Sequence, residues 1–163
     1  MRRRVNSTVM WLNLIARTVG LGIFVSALSA QAGCLQVNKF NHQPAMAGRK
    51  AQQFADAAFV ERNSSAAYAL LSQNTRRSLS LDQFKDVVSK MHPSQYPSSV
   101  QAIEYEPLMG QKAMNIYLLG GDDDEKFYYR FVMEGTQETD YLVSGFWRND
   151  SPYPPSNMRK PLR

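Results

Sequence analysis

The sequence predicts an α+β domain in which three N-terminal helices cover one face of a four-stranded antiparallel sheet. Between residues 49 and 91, apolar side chains recur with the period of amphipathic helices. Between residues 99 and 150 the period changes to two, and the segments are rich in Val, Ile, Tyr and Phe, as strands are. A group of helices followed along the chain by an antiparallel sheet is typical of the α+β class.

The helix signals fall in three segments. Residues 49–62 carry a stripe of small and aromatic residues: Ala51, Phe54, Ala55, Ala58 and Phe59. Asn63 and Ser64 supply capping groups for a second helix over residues 65–77. In the third helix, residues 79–91, Ser80 and Gln83 form a capping box. Its apolar stripe consists of Phe84, Val87, Val88 and Met91.

Four strand segments follow the helices, and turn residues separate them: 99–110, 112–120, 126–135 and 140–150. Connections this short join neighbouring antiparallel strands, so we expect a meander.

Alternation along the last two strands assigns side chains to the two faces of the sheet. Phe127, Tyr129 and Phe131 share one face and are expected to pack beneath the helices. The opposite face is expected to meet a partner protein through residue types enriched at interfaces: Tyr128, Arg130, Phe146 and Arg148. Because a bulge exchanges the two faces of a strand, this assignment depends on regular pairing.

Residues 1–33 have the layout of a secretory signal peptide. Arg2, Arg3 and Arg4 form a basic start, an uncharged and mostly apolar run spans residues 18–30, and small residues follow. The apolar run is shorter than the ~20 residues that a membrane-spanning helix needs. Extending it backwards would bury Asn13 and Arg17, so an uncleaved anchor is only the second choice.

Cys34 follows this segment directly and is the single cysteine of the chain. The tetrapeptide "QAGC" resembles a bacterial lipobox, with Gln31 in the place where Leu is usual. We therefore expect cleavage before Cys34 and attachment of lipid to its sulfur, since two or three acyl chains anchor a protein stably. Leu35, the next residue, is not the Asp that tends to retain bacterial lipoproteins in the inner membrane, so we expect attachment to the outer membrane. Cleavage after Ala32, which would release a soluble periplasmic or secreted protein, is the alternative.

The charge and cysteine content of the remaining chain exclude several functions. Four of the 19 Lys and Arg residues lie before Cys34, so the other 15 nearly balance the 14 Asp and Glu. A chain this close to neutrality gives no support to nucleic-acid binding. With Cys34 lipidated, neither a disulfide nor thiol catalysis is available.

The expected organisation is a signal peptide (1–33), a flexible tether (34–48), one domain (49–150) and a tail (151–163). The tether is polar and lacks a period, as linkers do. The tail is rich in proline and basic residues, and we expect it to be disordered.

Two stretches carry a resemblance to a known family. They are "AQQFADAAFVERNSSAAYALLSQNTRRSLSLDQFKDVV" and the terminal "DYLVSGFW". Residues 49 to about 150 thereby resemble the nuclear transport factor 2-like superfamily, which includes ketosteroid isomerase. The resemblance implies a curved sheet wrapped against the helices, forming a cone whose apolar cavity Phe127, Tyr129 and Phe131 would line. That fold hosts enzymes, binding proteins and inert scaffolds, so it does not decide the function.

Residues with catalytic or metal-binding chemistry are few. His42 and His92, the only histidines, lie in the tether and at a helix end, which argues against a zinc site. The acidic run at 122–125 lacks the spaced ligands of a calcium loop and is expected to be a solvated turn. No nucleophile, phosphate-binding or dinucleotide motif occurs. We therefore expect neither a metal nor a cofactor.

These observations favour an exported, lipid-anchored protein of the bacterial cell envelope, whose domain binds a partner protein or an apolar ligand without catalysis. The alternative is a small-molecule enzyme of the isomerase or cyclase type that uses the cone cavity. An ionisable pair pointing into that cavity, with a pKa displaced by burial, would favour the enzyme.

Overall fold

The computed structural model describes residues 40–121 and 125–163. The predicted signal peptide, Cys34 and residues 35–39 of the predicted tether lie outside these residues, as does the acidic turn at 122–124. Within them the fold is α+β, with helices packed on a five-stranded antiparallel sheet. The fold class is therefore confirmed, while the strand number and the division into helices differ from the prediction.

The helices in the described part are α1 (Pro44–Ala55), which continues into a π-helical turn (Asp56–Val60), α2 (Ser64–Ala69), α3 (Gln73–Ser78) and α4 (Leu81–Met91). Helix α1 begins before the predicted start at residue 49, because Pro44 suits the first turn and Ala47 is buried in the core. The predicted tether, residues 34–48, is therefore too long at its C-terminal end.

A contact with the sheet divides the single helix predicted over residues 65–77 into α2 and α3. Leu71 forms a parallel bridge with Val143, and the Ser72 amide donates to the Val143 carbonyl at 2.8 Å. The Ser72 hydroxyl then accepts from the Thr75 amide at 3.3 Å and caps α3. Serine competes in this way with the helical backbone, and the tertiary contact decides the outcome.

Helix α4 has the capping box predicted from the sequence. The Ser80 amide donates to Gln83 Oε1 at 2.8 Å, and the Gln83 amide donates to Ser80 Oγ at 3.3 Å. Phe84 and Val88 are buried as expected, whereas Val87 is 37% exposed. The buried stripe is thus narrower than the sequence pattern suggested.

The strands are β1 (Ser99–Pro107), β2 (Ala113–Gly121), β3 (Lys126–Thr136), β4 (Asp140–Asn149) and β5 (Lys160–Pro161). Their order in the sheet is β4-β3-β2-β1-β5, so the first four form the predicted antiparallel meander. The short β5 pairs with β1 at Glu104 and Tyr105. It comes from the segment predicted to be disordered, and that prediction is wrong.

A β-bulge changes the facing of the C-terminal half of β4. Val132 pairs with Gly145, but the next residue, Met133, pairs with Val143, so Ser144 is the extra residue. An extra residue exchanges the two faces beyond it. Phe146 and Arg148 consequently lie on the helix-facing side rather than beside Arg130, which corrects the sequence-based assignment.

Aromatic rings fill the space between the helices and the sheet where a cavity was expected. Phe127, Tyr129 and Phe131 are at most 1% exposed. The Phe59 ring stacks on Tyr129 at 5.0 Å, and Phe54 lies edge-on to Phe131 at 5.3 Å. These side chains form part of a packed core, which differs from the open cavity implied by the family resemblance.

Candidate functional site

The side of the sheet that faces away from the helices, here called the outer face, carries a stack of aromatic rings and a cation. The Arg130 guanidinium carbon lies 4.8 Å from the Trp147 ring centroid and 5.6 Å from that of Tyr153. Arg130 forms no salt bridge with a described residue, and its Nε is buried without a hydrogen-bond partner there. The stack therefore holds an uncompensated positive charge between two rings.

Trp147 is 46% exposed, more than any other aromatic side chain in residues 40–121 and 125–163. The six-membered ring of its indole lies next to Gly145. A Cβ atom at Gly145 would come within 2.5 Å of Trp147 Cη2, a distance that real contacts do not reach. The glycine thus leaves room for the ring, and Arg130 holds it from the neighbouring strand.

The C-terminal segment packs on the β1–β2 part of the outer face. Glu106 accepts hydrogen bonds from the Tyr117 hydroxyl at 2.7 Å and the Ser156 hydroxyl at 2.5 Å. These bonds hold the pKa of Glu106 below its usual range. The Arg159 guanidinium carbon lies 3.9 Å from the Tyr117 ring centroid, and Arg159 also pairs with Glu104 at 3.4 Å. Tyr153 of this segment reaches Arg130 on β3, but Trp147 on β4 stays exposed.

The four residues predicted to bind a partner are divided between the two faces. Tyr128 and Arg130 lie on the outer face. Phe146 packs instead against Phe54, with ring centroids 5.4 Å apart. The Arg148 guanidinium carbon lies 4.2 Å from the Phe127 ring centroid, and Arg148 donates to the Met91 carbonyl.

Trp147 alternates with Phe146 and Arg148, so the sequence-based placement of those two residues on the outer face implied the helix-facing side for Trp147, whereas it pairs with Arg130 on the outer face. A signal for the bulge was present, because an isolated glycine inside a strand pattern often marks one, and Gly145 is such a residue. Cys34, the predicted lipid attachment site, lies outside the described residues.

A buried histidine–tyrosine pair lies on the helix-facing side. His92 Nδ1 is 3.1 Å from the Val88 carbonyl, and Nε2 is 2.8 Å from the Tyr129 hydroxyl. Because a carbonyl only accepts, Nδ1 carries the proton and Nε2 accepts from the tyrosine. Burial lowers the pKa of His92 and raises that of Tyr129. Tyr96 stacks on the imidazole at 4.6 Å, so the pair is enclosed.

Two hollows of different character mark the surface beside α1. One of about 720 Å³ is bordered by polar and small side chains, including Arg49, Asp56 and Glu61. The other, of about 610 Å³, lies where the described chain begins and has a largely apolar lining that includes Phe40, Tyr105 and Met109. Neither hollow is lined by Phe127, Tyr129 or Phe131.

Within the described ranges, no three His, Cys, Asp or Glu side chains lie close enough to hold a metal ion. None of the helices in those ranges is long and apolar enough to cross a membrane. In comparisons with known proteins, no family model, no curated protein and no solved structure matches the chain.

Proposed function

We propose that this chain is an exported protein held in the cell envelope by lipid on Cys34, and that its domain binds a partner protein through the outer face around Trp147. The predicted signal peptide (residues 1–33) supports export, the "QAGC" tetrapeptide supports attachment of lipid to Cys34, and Leu35 favours the outer membrane. The observation that carries the binding role is the exposed indole of Trp147, positioned by Gly145 and Arg130 before any partner arrives.

This arrangement has the properties of an interface hot spot. Trp, Tyr and Arg are the side chains that most often dominate binding energies. A ring already held in place loses little conformational freedom on binding, so more of the contact energy is available for affinity. Since the Arg130 guanidinium has no described carboxylate partner, the matching partner surface presents a carboxylate beside an apolar side chain.

Catalysis has less support than binding in the described part. An isomerase-type site needs an ionisable pair that faces an open cavity. His92 and Tyr129 are hydrogen-bonded to each other and packed against Phe59 and Tyr96. The pair stabilises the core, and its geometry gives a substrate no approach.

Crosslinking in isolated membranes tests the binding role. The full chain carries an affinity tag, crosslinked proteins are identified by mass spectrometry, and Trp147→Ala and Arg130→Gln are compared with wild type. Removing a hot-spot residue costs about 2 kcal/mol or more, so Trp147→Ala reduces capture of the wild-type partner at least about tenfold. Val87→Ala, which truncates an exposed apolar residue of α4, is the matched control and leaves capture unchanged. Equal capture by Trp147→Ala and wild type overturns the proposal.

A further inference from the structure

The beginning of the described chain is fastened to one end of the sheet. This proximal end consists of residues 40–43, the β1–β2 loop (108–112) and the β3–β4 turn (137–139). The Gln137 amide donates to the Asn41 carbonyl at 3.1 Å, and Asn41 Nδ2 donates to Gln137 Oε1 at 2.8 Å. The Gln43 amide donates to the Tyr141 hydroxyl at 2.9 Å, and His42 Nε2 lies 3.2 Å from the Gln111 carbonyl. The chain therefore enters the fold at a fixed place.

Few residues separate this place from the proposed lipid attachment. Phe40 follows Cys34 by six residues, and six residues span at most about 20–22 Å when fully extended. A tether reaching residue 48, as the sequence suggested, would allow roughly twice that distance. A protein held by lipid on Cys34 consequently keeps its proximal end within about 20 Å of the attachment point.

The proximal end is apolar where it is most exposed. Met109, at the tip of the β1–β2 loop, is 67% exposed, and the following Gly110 has a φ of +70° that lets the chain turn there. The neighbouring hollow of about 610 Å³ is lined by Phe40, Pro107 and Leu108 among others. Solvent-exposed apolar side chains at this position suit the boundary between headgroups and acyl chains.

Basic side chains lie beside the hollows of this region. The hollow at Met109 and a second hollow of about 420 Å³, which shares Pro44 and Tyr105 with it, have no Asp or Glu in their linings. Lys160 and Arg163 line the second hollow. Lys112 Nζ lies 5.6 Å from the Phe40 ring centroid.

Acidic residues also lie close to this end, and Glu134 is exposed in the hollow that Lys112 lines. Asp140 pairs with Lys50 at 2.8 Å. Glu138 accepts from the Thr136 hydroxyl at 2.6 Å. Lys160 lines a hollow without an acidic side chain and pairs with Tyr105 near the proximal end, so it is the cation most available to lipid phosphates.

We infer that the proximal end lies against the headgroups of the membrane that carries the Cys34 lipid, with Met109 inserted at the interface and Lys160 facing phosphates. The inference rests on the proposed anchor, because the short tether is what holds this end at the bilayer. It adds an orientation, since the domain docks on the membrane by one defined end instead of hanging free from it.

Single-cysteine labelling tests this orientation in the acylated full-length product. Met109→Cys and Val87→Cys are each labelled with an environment-sensitive thiol fluorophore and reconstituted in phosphatidylethanolamine–phosphatidylglycerol vesicles that contain nitroxide-labelled lipid. The fluorescence emission of the label in Met109→Cys shifts to the blue because the label enters the membrane interface. Its intensity falls because the nitroxide-labelled lipid quenches it. The label in Val87→Cys, on α4, keeps the emission that it has in detergent.

The outcomes separate this inference from the proposed anchor. A Cys34 sulfur that carries lipid does not react with the fluorophore, so labelling of the parent protein without an added cysteine overturns the anchor itself. If the parent does not label and yet Met109→Cys emits as in detergent, the anchor stands and the orientation is overturned. Equal quenching of both labels overturns the orientation as well, because the docking would then not be specific to the proximal end.

Discussion

At the scale of single residues, the exposed indole of Trp147 depends on the absence of a side chain at Gly145. The substitution Gly145→Ala places a methyl group 2.5 Å from Trp147 Cη2 and displaces the ring without removing it. We expect partner capture to fall as in Trp147→Ala, while the melting temperature changes little because both residues lie at the surface. Membrane crosslinking and thermal melting measure the two effects. Unchanged capture by Gly145→Ala would show that the ring's position does not matter.

His92 makes the stability of the fold sensitive to pH. Burial lowers the pKa of the folded-state imidazole below the 6.5 of an unperturbed histidine, and the neighbouring Arg148 lowers it further. The unfolded chain therefore binds more protons as the pH falls below about 6.5, and stability is lost in that direction until the pH reaches the folded-state pKa.

We accordingly expect the melting temperature to fall when the pH is lowered from about 7 to about 5. The Glu106 carboxyl, whose pKa is lowered from 4.5, loses its contribution only at more acidic pH. His92→Phe keeps a ring in the core but loses the hydrogen bonds to Val88 and Tyr129, so its melting temperature is lower at neutral pH. Because it has no titrating group at this position, its melting temperature changes less than that of the wild type over this pH range. A wild-type slope identical to that of His92→Phe would assign the pH dependence to another group.

At the scale of elements, α4 contributes to the core mainly through Phe84. The ring is fully buried and lies 6.0 Å from Phe54, 5.7 Å from Phe146 and 5.9 Å from Tyr68. Phe84→Ala is expected to lower the free energy of unfolding by about 3–5 kcal/mol. Urea denaturation measures this loss, and Val87→Ala on the exposed side of the same helix is the control. Similar midpoints for the two variants would contradict the packing described for α4.

The C-terminal segment is a structural element and not a loose tail. Removing residues 151–163 takes away β5, the Ser156 hydrogen bond to Glu106 and the Arg159 contact with Tyr117. We expect the free energy of unfolding of the truncated chain to fall by at least about 1.5–3 kcal/mol, since a net hydrogen bond to a charged group contributes about that much. Urea midpoints of the full and truncated chains provide the measurement. Coincident midpoints would mean that the segment adds nothing to stability.

Local signals were sufficient for those elements whose causes are local. The capping box of Ser80 and Gln83 fixes the start of α4, and turn residues between alternating segments fix the meander. The same logic failed between α2 and α3, because the bridge between Leu71 and Val143 joins residues that are distant in sequence. It failed again at β5, whose proline-rich segment is held by Arg159 and other contacts with the sheet that composition does not reveal.

The sequence predicted the residue types of the candidate site, but not which side chains lie on the outer face of the sheet. Sequence reasoning chose the aromatic and arginine side chains of β3 and β4 as an interface. One extra residue, Ser144, turned Phe146 and Arg148 inwards and Trp147 outwards. Beyond a bulge, every side chain lies on the face opposite to the one that alternation predicts. The isolated Gly145 was the only local sign of the bulge.

At the scale of the whole molecule, the two proposed contacts lie at different distances from the membrane. Strand β4 leaves the proximal end at Asp140, and Trp147 lies seven residues further along. At a rise of about 3.3 Å per residue, the indole is about 20 Å from that end. A domain docked by Met109 therefore presents Trp147 clear of the headgroups, where an envelope protein can reach it.

Attachment at Cys34 is the central claim, because both the location and the orientation of the domain follow from it. Labelled fatty acid supplied to cells, followed by intact-mass analysis of the isolated protein, tests it most directly. We predict that the mature wild-type protein begins at Cys34, has the added mass of acyl chains and incorporates the labelled fatty acid. The Cys34→Ala variant incorporates no labelled fatty acid and leaves the membrane fraction. Equal labelling of the two proteins, or a mature chain that begins at Gly33, would contradict the claim.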